Sequence, residues 1–135
     1  MPNTPRPLWQ LTVSDSFSAA HALRHYQGKC ERLHGHNFTV EVTVEGERLE
    51  ADTEMLLDFS HIKAHLKAAL AGLDHRELNT TPPFDRQNPS SENLARHIYR
   101  LMAAALGTGP ARLVSVRVAE KPGQSATYRE LAPQG

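Results

Sequence analysis

Residues 34–45 read His-Gly-His-Asn-Phe-Thr-Val-Glu-Val-Thr-Val-Glu. Phe38, Val40, Val42 and Val44 alternate with Thr39, Glu41, Thr43 and Glu45, the period of a strand covered on one face only. Carried backwards, the same parity puts His36 and His34 on the apolar side, so one stretch supplies both a strand and two imidazoles facing one way. Leu11 and Val13 repeat the spacing upstream. Val114, Val116 and Val118 repeat it downstream and run into Glu120, where period two turns a carboxylate inward. Thr127, Tyr128 and Arg129 suit a last strand, reached through a Pro122-Gly123 hairpin turn.

The middle of the chain changes period. Phe59, Ile62, Leu66, Leu70 and Leu73 recur at three and four, the stripe of an amphipathic helix, with Asp58 as N-cap. Leu94, Ile98, Leu101 and Ala105 predict a second helix over about 91–106, capped by Ser90, with Glu92 in its first turn and Gly107 at its end. The expected fold is α+β in the order ββααββ, a four-stranded antiparallel sheet with both helices on one face. Such a sheet has two open edges and a second face of Thr and Glu, which closure into an oligomeric barrel would cover. A structured loop is expected over residues 80–89, with three prolines, and a turn over 107–110. A single domain over 1–135 follows, with short tails at about 1–7 and 132–135.

Fifteen Lys plus Arg balance fifteen Asp plus Glu, which gives no general electrostatic reason, a local patch aside, to expect nucleic acid or an anionic membrane as partner. With few aromatics there is no stacking platform for bases either. No run of 18 apolar residues occurs and the first ten residues lack a signal-peptide pattern, so a cytoplasmic protein is expected. One cysteine excludes an internal disulfide framework, whereas histidine is abundant, at eight residues.

The dense segment is Cys30-Glu31-Arg32-Leu33-His34-Gly35-His36. Two histidines spaced by two on a strand chelate from one side, Gly35 between them permits close packing, and a hairpin brings His21 beside them. Three imidazoles with an open fourth position describe a catalytic zinc site. Cys30 as fourth ligand would close that site and make it structural; unligated, its thiolate would serve as base or nucleophile. Spacing does not choose between the two. His61 and His65 form a helical i, i+4 pair, but Ile62 replaces the glutamate of the zinc-peptidase pattern, and they read as solvated. His25 and His97 read as ordinary surface or loop residues. Asp74-His75 follows the first helix, where the backbone can turn a carboxylate and an imidazole toward proton transfer. For Glu120 an arginine from the same or a neighbouring subunit and a planar amino-amidine ring edge are equally good ways to satisfy an inward carboxylate.

Ser18-Ala19-Ala20-His21 with Cys30-x-x-x-His34-Gly35-His36 resembles the 6-pyruvoyl-tetrahydropterin synthase family. The three-residue gap between Cys and His resembles its bacterial branch, which makes 6-carboxy-5,6,7,8-tetrahydropterin for queuosine and related deazapurines. The resemblance continues through Met55-Leu56-Leu57-Asp58-Phe59, Leu73-Asp74-His75-Arg76-Glu77-Leu78-Asn79 and Asn88-Pro89-Ser90-Ser91-Glu92-Asn93-Leu94-Ala95, and ends with Glu120 and Tyr128. It implies a tunnelling fold that trimerises into a barrel and stacks into a hexamer, with active sites at subunit interfaces. It also implies zinc on His21, His34 and His36, Cys30 as catalytic thiol, Asp74 and His75 as proton-transfer pair, and Glu120 as anchor for the pterin ring. The implied substrate is 7,8-dihydroneopterin triphosphate, with no nicotinamide, flavin or ATP.

The chain departs from the family pattern at Glu54, where glycine is frequent, and at Lys121, where threonine is frequent. Lys121 is therefore expected near the pterin or the triphosphate. Retention of the side chain as a 6-pyruvoyl group is the alternative product. A side-chain lyase using a glutamate such as Glu31 in the thiol's role, and a non-catalytic protein with a closed zinc site, are the further alternatives.

Overall fold

The computed structural model describes residues 3–28 and 31–134. The alternation of residues 34–45 is realised in β2, His34–Gly46, which pairs antiparallel with β1, Trp9–His21, from Trp9↔Gly46 to His21↔His34. Phe38, Val40, Val42 and Val44 are buried to completion and Phe17 stacks on Phe38 at 4.9 Å, each large side chain contributing on the order of 1.5–3 kcal/mol. Because the ladder is in register to its end, the face that buries Phe38 also carries His36, His34 and, across the pair, His21.

The helices begin and end where their caps direct. In α1, Phe59–Ala71, Asp58 accepts the Ser60 N–H at 2.8 Å. In α2, Ser91–Leu106, the Ser90 hydroxyl accepts from Asn93 at 3.2 Å, and Gly107 closes the helix at φ +56°. α1 packs against β1, α2 against β4 and β5, and the helices against each other. Two of the sequence-derived stripes are corrected. Phe59, at the mouth of α1, is 51% exposed. In α2 the buried side is Leu94, Ala95, Ile98, Tyr99 and Met102, leaving Leu101 39% exposed and Ala105 in solvent. Tyr99 directs this rotation by meeting Tyr128 at 5.0 Å, a contact no helical period announces.

The last hairpin, β4 (Arg112–Lys121) and β5 (Gln124–Tyr128), adds to β2 with a register shift between Thr43 and Val44. Between the helices, residues Arg76–Glu77 form a further short strand, β3, parallel to Ala19-Ala20. The described sheet therefore has five strands, ordered β3-β1-β2-β4-β5, where four were expected. Two residues leave no alternation to read; β3 is docked by the His75 N–H on the Ser18 carbonyl at 2.6 Å. The other face of the sheet is polar, as expected, with Thr12 and Thr43 hydroxyls 3.0 Å apart, Gln10 on Glu45, and Arg117 paired with Glu41. At the far end of β2 the backbone of Gly46 approaches the Pro110 carbonyl so closely that a Cβ would lie 2.5 Å from it.

Candidate metal centre and active site

His21 is 1% exposed, and its Nε2 is the one buried side-chain polar atom without a hydrogen-bond partner among the described residues. Its Nδ1 lies 2.7 Å from the Pro89 carbonyl, and the Nδ1 of His34 lies 2.7 Å from the Arg32 carbonyl. A carbonyl only accepts, so each Nδ1 carries a proton, and in the neutral ring the Nε2 then presents the lone pair. His36 completes the group, and the three ligand atoms lie within 4.8 Å of one another. Burial, against the pull of the Pro89 carbonyl, holds His21 below the usual imidazole range; burial also lowers His36. Neutral imidazoles converging on an orphaned, buried nitrogen are what a divalent metal requires, and a donor set of three nitrogens fits zinc with a position left over. His21, His34 and His36 form a zinc-binding site.

Glu120 sits on the same face of the sheet and reaches this centre. Its Oε2 is 3.5 Å from His36 Nε2 and 3.7 Å from His21 Nε2, while its Oε1 accepts from the Gln124 side-chain amide. No arginine of the same chain pairs with it among the described residues. The Lys121 charge is felt at His36, where it opposes protonation.

Asp74 and His75 are brought together at the end of α1 by a positive φ of 58° at His75, and the Asp74 Oδ2–His75 Nδ1 distance is 3.0 Å. The other Asp74 oxygen accepts the Ser18 N–H at 2.9 Å; that bond, ahead of His75, holds the carboxyl below its ordinary range. His75 is 82% exposed and lines, with Ser18, His36, Asn37, Arg76 and Glu77, an open cavity of about 510 Å³. One cavity thus touches a metal ligand and a carboxylate-oriented imidazole. Cys30 lies outside the described residues.

The remaining histidines divide. His61 and His65 place their rings 4.7 Å apart on α1, without a third donor among the described residues. His25 is exposed at φ +62°. His97 is not the surface residue expected: it is half-buried against Phe84 at 5.2 Å, and burial lowers its pKa. Gly35 is not crowded either, since a Cβ there would meet only the Ala19 carbonyl at 3.8 Å.

Sequence reasoning passed over the residues that fasten His21. Asn79 bonds both backbone groups of Ala22, at 2.8 and 2.9 Å, and Asn88 both of Arg24, at 2.8 and 3.1 Å. The Arg24 guanidinium donates to the carbonyls of Gln87, Asn79 and Phe84. The loop that carries Pro89, the hydrogen-bond partner of His21, is thereby clamped to the segment following His21. Isolated asparagines and an arginine have no period; only their recurrence around the ligand block could have marked them.

A two-helix, antiparallel-sheet chain with a three-imidazole centre at the end of its first hairpin defines a class of zinc protein, and the comparisons agree. The 6-pyruvoyl tetrahydropterin synthase family profile matches residues 10–131. The chain belongs to that family. It is 39% identical over 125 residues to the 6-carboxy-5,6,7,8-tetrahydropterin synthase of Synechocystis, covering 90% of this chain and 93% of the relative. It is 33% identical over 138 residues to the 6-pyruvoyl tetrahydrobiopterin synthase of Drosophila melanogaster, covering 92% and 81%. Among solved structures, the 6-pyruvoyl tetrahydropterin synthase of Caenorhabditis elegans superposes with a TM-score of 0.83 at 29% identity, covering 93% and 97%. No helix among the described residues is long and apolar enough to cross a membrane. Family and site together define a zinc-dependent lyase of the pterin-synthase type.

Proposed function

We propose that the chain converts 7,8-dihydroneopterin triphosphate and water to 6-carboxy-5,6,7,8-tetrahydropterin, acetaldehyde and triphosphate. The observation that carries this reading is the buried, partnerless Nε2 of His21 converging with His34 and His36, in a chain 39% identical to a 6-carboxy-tetrahydropterin synthase. Zinc bound there would acidify and polarise the substrate's side-chain hydroxyls. Asp74 fixes the His75 tautomer, leaving its Nε2 free to take or give a proton at a side-chain carbon. Cys30, as thiolate, is assigned the opposite proton transfer, and Glu120 the amino-pyrimidine edge, which fixes the ring relative to the reacting carbons. Pairing of β5, and of the part of β1 that the two-residue β3 leaves uncovered, with other copies in a trimeric barrel that doubles to a hexamer would cover the polar sheet face.

The Drosophila relative favours the alternative in which the side chain is retained as 6-pyruvoyl. Mass spectrometry of the products of zinc-loaded protein with 7,8-dihydroneopterin triphosphate separates the two. A 6-carboxy product with stoichiometric acetaldehyde is expected. A 6-pyruvoyl product would move the protein to the neighbouring activity, and untouched substrate would overturn the substrate assignment.

A further inference from the structure

The histidine pair on α1 takes no part in the chemistry assigned above, yet its geometry repeats that of two metal ligands. The His61 and His65 rings stand 4.7 Å apart at 89°. Those of His34 and His36 stand 4.8 Å apart at 89°, and His21 lies 4.6 and 5.3 Å from them. The range has a simple origin. A metal held at about 2.0–2.1 Å by two imidazole nitrogens, with those bonds about 90–110° apart, separates the ring centres by about 4.5–5.3 Å. On α1 the helix itself produces the spacing, because residues four apart lie one above the other. Ile62 and Leu66, buried to completion, fix the rotation that leaves His61 exposed and His65 half-buried. The rest of that face is clear. Ala64 and Ala68, which border the pair, are exposed and end at Cβ, whereas Lys63 and Lys67 lie on the opposite flank of the helix. Asp58, three residues before His61, is close enough for its carboxylate to interact with that imidazole. Ser60 engages only its Oδ1 among the described residues, which leaves Oδ2 for a water in a metal's shell.

We propose that His61 and His65 form a second metal site, which takes one divalent ion of the nickel and copper type on two imidazole nitrogens, with water in its other positions. The site goes beyond the pterin reading and does not rest on it. Its preference differs from that of the zinc centre. Two donors on an open helix face impose no tetrahedron, so ions that favour tetragonal or octahedral surroundings are accepted, and imidazole suits both nickel and copper. The ion also ties two successive turns near the start of α1 together, so its binding stabilises the folded chain.

The test uses full-length protein loaded with one equivalent of Zn²⁺ per chain and then titrated with Ni²⁺, an ion that thiols do not reduce. Native mass spectrometry counts the bound ions and calorimetry gives the affinity. One Ni²⁺ is expected to bind in addition to the retained Zn²⁺. His61→Gln and His65→Gln should each weaken that binding about a hundredfold, since the loss of one donor removes the advantage of two-point attachment. His61 is exposed, so its variant reports on binding even where His65→Gln costs stability. Lys63→Gln changes the charge of the same helix without touching the pair and should stay within about twofold of wild type, a separated surface charge being screened by salt. Three results would overturn the site: a Ni²⁺ that replaces Zn²⁺ or does not bind at all, an affinity unchanged in His61→Gln, or a loss in Lys63→Gln as large as in the histidine variants.

Discussion

Replacing Arg24 with Met removes the guanidinium but keeps most of the aliphatic stem. Three acceptors lose their donor: the carbonyls of Gln87 at 2.8 Å, Asn79 at 3.2 Å and Phe84 at 2.7 Å. The first is exposed, so water replaces the lost bond at little cost. The other two are partly buried, and a hydrogen bond from a charged donor contributes about 1.5–3 kcal/mol in such surroundings. The two together give roughly 3–6 kcal/mol, and partial water access with non-additivity lowers the expected loss to about 2–4 kcal/mol. Urea unfolding at fixed protein concentration, once with excess zinc and once with chelator, measures it. Both conditions should show the loss, and zinc affinity should fall as well, because the same loop presents Pro89 to His21. Arg86→Met is the control: an exposed arginine in that loop without side-chain bonds among the described residues, expected within about 0.5 kcal/mol of wild type. If Arg24→Met also stays within about 0.5 kcal/mol of wild type, the clamp is not what holds this loop.

Three further outcomes follow from the backbone and the histidines. Gly46→Ala sets a Cβ 2.5 Å from the Pro110 carbonyl and should lower stability by about 2–3 kcal/mol in the same urea assay. Glu54 is held at φ +57°, a conformation glycine adopts freely, so Glu54→Gly should raise stability by about 0.5–1 kcal/mol, part of the relief being offset by a more flexible unfolded chain. His21, His36 and His97 are all depressed below the usual value of 6.5, so the unfolded chain binds more protons than the fold does. Stability of chelator-treated protein is therefore complete above about pH 6.5 and declines as pH falls below it. A flat midpoint of unfolding from pH 7.5 to about 5.5 would show that these histidines do not carry the dependence.

The elements with a period were legible in the sequence; those without one were not. β2 was read in full because Phe38 to Val44 alternate without a break, and the Ser90 and Asp58 caps fixed both helix starts. β1 was seen at Leu11 and Val13 and at its end near His21; Asp15 occupies an inward parity position and interrupts the pattern between them, yet the strand runs unbroken for thirteen residues. The α2 stripe was misassigned because Leu101 is apolar but faces away, while Tyr99 and Ala95 bury instead. At the site, the spacing of His34 and His36 and the strand-end position of His21 sufficed to bring the triad together. Parity also turned Glu120 inward, while its approach to His21 and His36 came only with the structure. What parity cannot convey is which rotamer a carboxylate adopts, or that Asn79, Asn88 and Arg24, distant in sequence, meet around one ligand.

Those three residues explain why the centre is built around His21 rather than around the more exposed pair. A buried nitrogen with no partner costs about 1–3 kcal/mol, and nothing in the described protein offsets it. The fold tolerates the cost because the clamp gives the segment after His21 and the loop around it no alternative place, and because Pro89 fixes the other ring nitrogen. Metal binding then removes the penalty and adds its own free energy to folding. His34 and His36 could remain hydrated without zinc, being only half-buried, whereas His21 cannot. The stability gained on loading is therefore concentrated at the first hairpin and the loop over residues 79–89. Amide exchange should slow most there, at Ala22 and Arg24, when zinc is added, and an equal slowing in α1 would show that the metal acts on the fold as a whole instead.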